Sequence, residues 1–349
     1  MNRPTFLLLA CTLASCGTPA SRGASDAGVD AGPDGGGLPP DVTTYPISVG
    51  PLPVQAGTQI VYCTYLHLGN PAPIDIVGFT STQTLGGHHL ILVQNEKDQP
   101  DSPAPWVCGQ GEAIDPRKGS MLYISQVHQD QQIFPSSVGI HLPAHASLML
   151  QVHYIDATPN DLQVSTSVDV LAGAPGSVTT SAAPALFYDN GLVVPPGLSR
   201  SFATFPNVTG QTLDFFMLAG HMHSHGTDFQ LWYQDGGTVS GELDGGNGPL
   251  IYETTNPDSP TEQFFAPPLE VPPGATFSWS CSYANLDGGT ITQPDEMCAI
   301  LAIYYPAPYG SLSCFANAED AGVPAGLDCC VYGSHPADAG QPYVCGAAP

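Results

Sequence analysis

Three groups of histidines carry the chemical content of this sequence. Gly86-Gly87-His88-His89 opens the apolar run Leu90-Ile91-Leu92, His153 stands alone in Leu148-Met149-Leu150-Gln151-Val152-His153-Tyr154, and His221-Met222-His223-Ser224-His225 spaces its imidazoles two apart. Imidazole is neutral over much of the physiological pH range and binds copper, zinc and iron alike, so the pattern says metal without choosing one. In an ideal strand neighbouring side chains point to opposite faces. His88 and His89 could therefore reach one ion only through a local irregularity, which Gly86 and Gly87 make sterically accessible; one imidazole in the core and one in solvent is the other reading of that pair. The same alternation puts His221, His223 and His225 on one face of an extended segment, about 6 to 7 Å apart. His67, His128, His141, His145 and His335 are assigned structural or surface roles, and Gln151 is a candidate for a supporting contact near His153.

The elements that must position these residues read as strands. Residues 147–154, 212–219, 230–233, 275–279 and 297–305 are short and rich in branched and aromatic side chains, with proline and glycine clustered between them. Pro195-Pro196-Gly197 and Pro272-Pro273-Gly274 are turn signals. Helical periodicity is hard to find anywhere. The expected fold is all-β, as two consecutive antiparallel jelly-roll or sandwich domains, because roughly 300 residues exceed the usual size of one core.

At the N-terminus, an apolar run over residues 6–13 closes with Leu13-Ala14-Ser15-Cys16. It is far shorter than the ~20 residues of a membrane span, and it resembles a bacterial lipobox, whose cysteine is lipidated after cleavage. Residues 1–16 are thus expected to be a signal peptide ending at lipidated Cys16, and residues 17–43, which lack apolar content, a flexible tether. The membrane is touched through the lipid alone, which puts the protein outside the cytoplasm. Only 6 Lys plus Arg stand against 31 Asp plus Glu, which excludes a nucleic-acid partner on charge grounds. Eight cysteines follow the export segment, and an even number in an exported chain points to disulfides whose pairing spacing alone leaves open.

Gly87-His88-His89, Leu150-Gln151-Val152-His153-Tyr154, His221-Met222-His223 and Asp295-Glu296-Met297-Cys298, with the trailing Tyr304-Tyr305, together resemble the copper type II, ascorbate-dependent monooxygenases, which include peptidylglycine α-hydroxylating and dopamine β-monooxygenases. The order of the motifs matches as well as their content, over roughly residues 45–306. The resemblance implies two jelly rolls facing each other across a solvent-filled cleft, with an N-terminal copper domain over residues 44–172, a C-terminal one over 173–310 and a Cys-rich tail over 311–349. It implies two coppers per chain. His88, His89 and His153 would hold the electron-transfer copper, and His221, His223 and Met297, the catalytic set, the oxygen-activating one. Met297 is by default a core residue; as a ligand its thioether is soft, suiting Cu(I) and poorly suiting zinc. The resemblance further implies O2 and ascorbate or another one-electron reductant as co-substrates, and disulfides pairing Cys63 with Cys108 and Cys281 with Cys298.

Two departures bear on the substrate and the metal. Peptide-amidating members carry an Arg two residues before the first histidine of the second copper site and an Asn and a Tyr after its Met; here the positions are Ala219, Ala299 and Leu301. The expected substrate is therefore a small, uncharged or apolar molecule rather than a glycine-extended peptide. His225 continues the alternation as a possible extra ligand, and an all-histidine site would also suit zinc-assisted hydrolysis. A non-catalytic copper-binding lipoprotein and a zinc hydrolase accordingly stand as alternatives to the hydroxylase. Oligomeric state is left open.

Overall fold

The computed structural model describes residues 41–349 apart from 114–117, 190, 208, 236–247, 257–259, 294, 308–309, 317–326, 333–343 and 348–349; of the residues from 315 onward it describes the backbone only. The signal peptide with Cys16, the tether up to residue 40, His335 and the side chains of Cys329, Cys330 and Cys345 lie outside the described residues.

The chain is all-β, in two consecutive, almost wholly antiparallel sandwiches of the jelly-roll class. In the first, a sheet ordered Thr43–Val54, Leu162–Ala172, Ile74–Gln83, Val138–Leu142, Thr180–Ser181 faces one ordered Trp106–Val107, Gln59–His67, Ser147–Ile155, Gly87–Asn95, Gly119–Ser125. Their inward side chains share one core, with Phe79 stacked on Tyr123 at 4.7 Å. Thr180–Ser181 pairs with Val138–Leu142, so the first sandwich reaches eight or nine residues past the expected boundary at 172/173, and the chain crosses over at Ala182.

The second sandwich sets Gly197–Pro206, Thr276–Asn285, Gly226–Gln234 and Leu250–Thr254 against a seven-stranded sheet, around Phe187, Phe205, Phe215 and Phe277. The described strands of the Cys-rich tail join this seven-stranded sheet. Ser311–Ala316 pairs in parallel with Ala183–Asp189, and Leu327–Tyr332 and Val344–Ala347 extend the same sheet.

The strands that carry the motifs are buried on both faces. Along Ala299–Tyr305, Ile300, Ala302 and Tyr304 fill the interior of the second sandwich, whereas Ala299, Leu301 and Ile303, with Met217, Ala219 and Met297, join the core of the first. The two sandwiches thus pack directly on one another through apolar side chains along these strands.

Disulfides join Cys63 to Cys108 and Cys281 to Cys298, as the resemblance implied. Cys314, whose register partner is Cys329, is disulfide-bonded too. Such cross-links persist in oxidising, extracytoplasmic surroundings. Among the described residues no helix is long and apolar enough to cross a membrane.

Candidate metal centre

His89 and His153 are register partners on adjacent central strands of the first sandwich. The pairing slips between Gly87 and His89, a bulge entered through Gly86 at φ +89°, which only glycine adopts cheaply. The bulge is the irregularity the adjacent pair needed. It brings His88 to the same side, and the three rings form a near-equilateral triangle: centroids lie 5.1 Å apart for His88 and His89, 5.0 Å for His88 and His153, and 5.0 Å for His89 and His153. One nitrogen from each ring lies within 4.8 Å of the other two.

The second group arrives from the other sandwich. His221 ends the strand Leu213–His221, and its ring lies 5.2 Å from that of His223 and 6.3 Å from that of His89. Its Nδ1 shares a 3.1 Å hydrogen bond with Gln126 of the first sandwich. The two histidine sets are therefore not held apart by a solvent-filled cleft. His89 and His221 are both buried, and the apolar faces around Ala219 and Ala299 close the gap, leaving one cluster of five imidazoles.

Residues 221–226 do not stay extended. The next strand begins at Gly226, in the facing sheet, and a hydrogen bond from its N–H to the carbonyl of His223 (3.0 Å) closes a tight turn. His225 accordingly leaves the face of His221 and His223. Its Nε2 lies 2.9 Å from Asp287 Oδ2, and its Nδ1 faces Glu296 at 3.4 Å without a hydrogen bond. The structure does not bring it to the cluster. His225→Ala is expected to leave bound metal unchanged and to cost less than about 1 kcal/mol in denaturant unfolding, since Asp287 is exposed and such pairs contribute little.

Glu296 organises this turn. It is fully buried, and its Oε1 accepts the backbone N–H of His223 (2.5 Å) and of Met297 (3.0 Å) while Oε2 accepts that of His225 (3.1 Å). One carboxylate thereby sets the His223 and Met297 backbones side by side. The Met297 side chain is buried among the residues between the sandwiches. His223 Nδ1 lies 3.0 Å from the carbonyl of Asp295, which fixes that nitrogen as the donor and leaves Nε2 with a free lone pair.

Burial also shapes the titration of the cluster. Desolvation, helped by the neighbouring imidazoles, holds His89 and His221 well below the ordinary histidine range and takes His153 down to about 3. Protons therefore compete weakly for these nitrogens at neutral pH. His153 supplies the sharpest sign of a missing partner: its Nε2 is 3.1 Å from Gln59 Oε1, whereas its buried Nδ1 has no hydrogen bond. Such a lone pair surrounded by imidazoles fits a metal ion.

Gln151 does not support His153. Its amide donates to the carbonyl of Gly109 (3.0 Å) and lies against the Cys63–Cys108 sulfurs, so it braces the disulfide. Of the supporting residues, Glu296 falls within the Asp295-Glu296-Met297-Cys298 motif, whereas Gln59 and Gln126 carried no signal in sequence. Of the other histidines, His67 bridges Asp98 and Asp101 and His141 meets Asp75, in keeping with surface roles.

No protein-family model matches the chain, and no curated protein matches it. Among solved structures, one of Broad Bean Stain Virus is similar at a TM-score of 0.26 and 9% identity, covering 75% of this chain and 87% of that one. A triple jelly-roll protein of an archaeal virus is similar at 0.23 and 7%, covering 75% and 58%. At such scores neither bears on function or assembly.

Proposed function

We propose that this protein is a copper-dependent monooxygenase that hydroxylates a C–H bond of a small, uncharged or apolar molecule, using O2 and two electrons from ascorbate or another external reductant. The carrying observation is the convergence of His88, His89, His153, His221 and His223 on one cluster, buried at His89, His153 and His221, with Met297 tethered beside His223 by Glu296. Two coppers per chain are proposed, one on His88, His89 and His153 and one on His221, His223 and Met297. Bound copper supplies one-electron redox chemistry and activation of O2. The residues supply neutral nitrogen donors, a soft sulfur, exclusion of water by the apolar faces around Ala219 and Ala299, and orientation through Gln59, Gln126 and the Asp295 carbonyl. Lipidation at Cys16 is proposed to hold the enzyme to a membrane on its extracytoplasmic side.

After loading with copper, the purified chain is expected to hold two coppers and to consume O2 with ascorbate. Met297→Ala is expected to retain metal on the histidines but to lose at least about tenfold in reductant-dependent O2 consumption, the scale of removing a group that tunes the reacting metal. A single zinc held in preference to copper and indifferent to Met297 would refute the assignment in favour of hydrolysis. Two coppers with no O2 consumption would favour a non-catalytic copper protein.

A further inference from the structure

A partly open, mostly apolar cleft runs between the two sandwiches. One wall comes from Leu122 and Ile124 of the first sandwich, and the other from Met217, Leu301 and Ile303 of the second. Strand Ser311–Ala316 closes a further side through Ser311, Leu312 and Ser313, giving the C-terminal segment a place in a site. Leu301 lies two residues from Ala299, the register partner of His221, so the cleft begins about 7 Å along the strand from the histidine row. None of the cluster's rings lines it.

The polar feature that singles this cleft out is Gln132. It lines the cleft and is almost wholly buried, and its Nε2 is oriented by the Ile124 carbonyl (2.9 Å), Asp130 Oδ2 (3.3 Å) and Glu262 Oε1 (2.6 Å). The Ile124 carbonyl, which can only accept, settles which end of the amide is the nitrogen. The other end, Oε1, is buried and accepts nothing. A buried acceptor without a donor is costly, and an apolar cleft with one such atom calls for a ligand that carries a single donor on an apolar body.

We infer that this cleft binds a small uncharged molecule with an apolar body and one hydroxyl or N–H group, the group donating to Gln132 Oε1. The inference rests on the hydroxylase reading only where it identifies the occupant with that enzyme's substrate. Binding itself needs no metal.

The test is calorimetric titration of the metal-free full chain with 4-butylphenol and with butylbenzene. Saturable binding of one phenol per chain is expected, about tenfold tighter than the hydrocarbon, the ratio one hydrogen bond to a buried acceptor gives. Leu301→Trp, which fills the cleft, and Ser313→Trp, at a half-buried wall position that tolerates bulk without repacking the core, are each expected to weaken phenol binding at least tenfold, with folding checked by thermal unfolding. Absent saturation by the folded parent, equal affinity for the two probes, or undiminished binding in folded Ser313→Trp would overturn the inference. Because no copper is present, any of these outcomes leaves the metal assignment standing, and loss of copper elsewhere leaves this one standing.

Discussion

His153→Ala is expected to lower copper binding from two ions per chain to one and to weaken the site it leaves by more than about 100-fold, beyond what loss of a supporting residue usually costs. The reason lies in the triangle. His88 is held there by a bulge and His89 by the ladder, so removing the third corner leaves two donors that cannot close around an ion. Stability should move differently with and without metal. In the metal-free chain the imidazole is a buried group with an orphaned nitrogen, so the relief of that orphan offsets part of the void left behind, and the net change should stay within about 1 kcal/mol. With copper, the parent gains from mass action and the variant loses that gain. Equilibrium dialysis with metal analysis, beside denaturant unfolding of both forms, reads the two effects separately. Parent-like copper content in the variant would remove His153 from the site. Gln59→Leu should fall between, at about 10- to 100-fold weaker binding, because it frees the ring without deleting the donor.

How far the site could be read in advance depended on the range of the interaction. The bulge at His88 was legible because two glycines precede adjacent histidines, and a backbone irregularity is a local matter. The path of 221–226 is set at equally short range. Strict alternation ends at Ser224-His225-Gly226, because serine and glycine there are turn residues, and the turn is what removes His225 from the cluster. Contacts made between distant segments left no trace: Gln126 meets His221 across 95 positions, and Gln59 meets His153 across 94. The closure of the two sandwiches did have a signal. Residues 212–219 and 297–305 are nearly continuous apolar runs, not alternating ones, and that is how a strand covered on both faces reads. The three short strands by which the Cys-rich tail extends an existing sheet had no legible pattern, because its glycine and alanine content interrupts the alternation of a strand.

Glu296→Ala is expected to cost about 3 to 5 kcal/mol of unfolding free energy, the range in which buried charged networks rather than single contacts fall. Its carboxylate accepts three backbone N–H groups, and each loses a charge-assisted bond in a place water does not reach. Glu296→Gln should cost about half as much, since one carbonyl oxygen remains while the new NH2 faces a donor it cannot bond. The effect on metal should be selective. His223 and Met297 hang from Glu296, whereas His88, His89 and His153 sit on strands of the other sandwich, so the copper lost in Glu296→Gln should be the one placed with Met297. His153→Ala and Glu296→Gln should therefore each retain one copper, but different ones, and the double variant should retain none. Two coppers and parent stability in Glu296→Ala would show that the turn holds itself, and would break the link drawn between the thioether and the histidines.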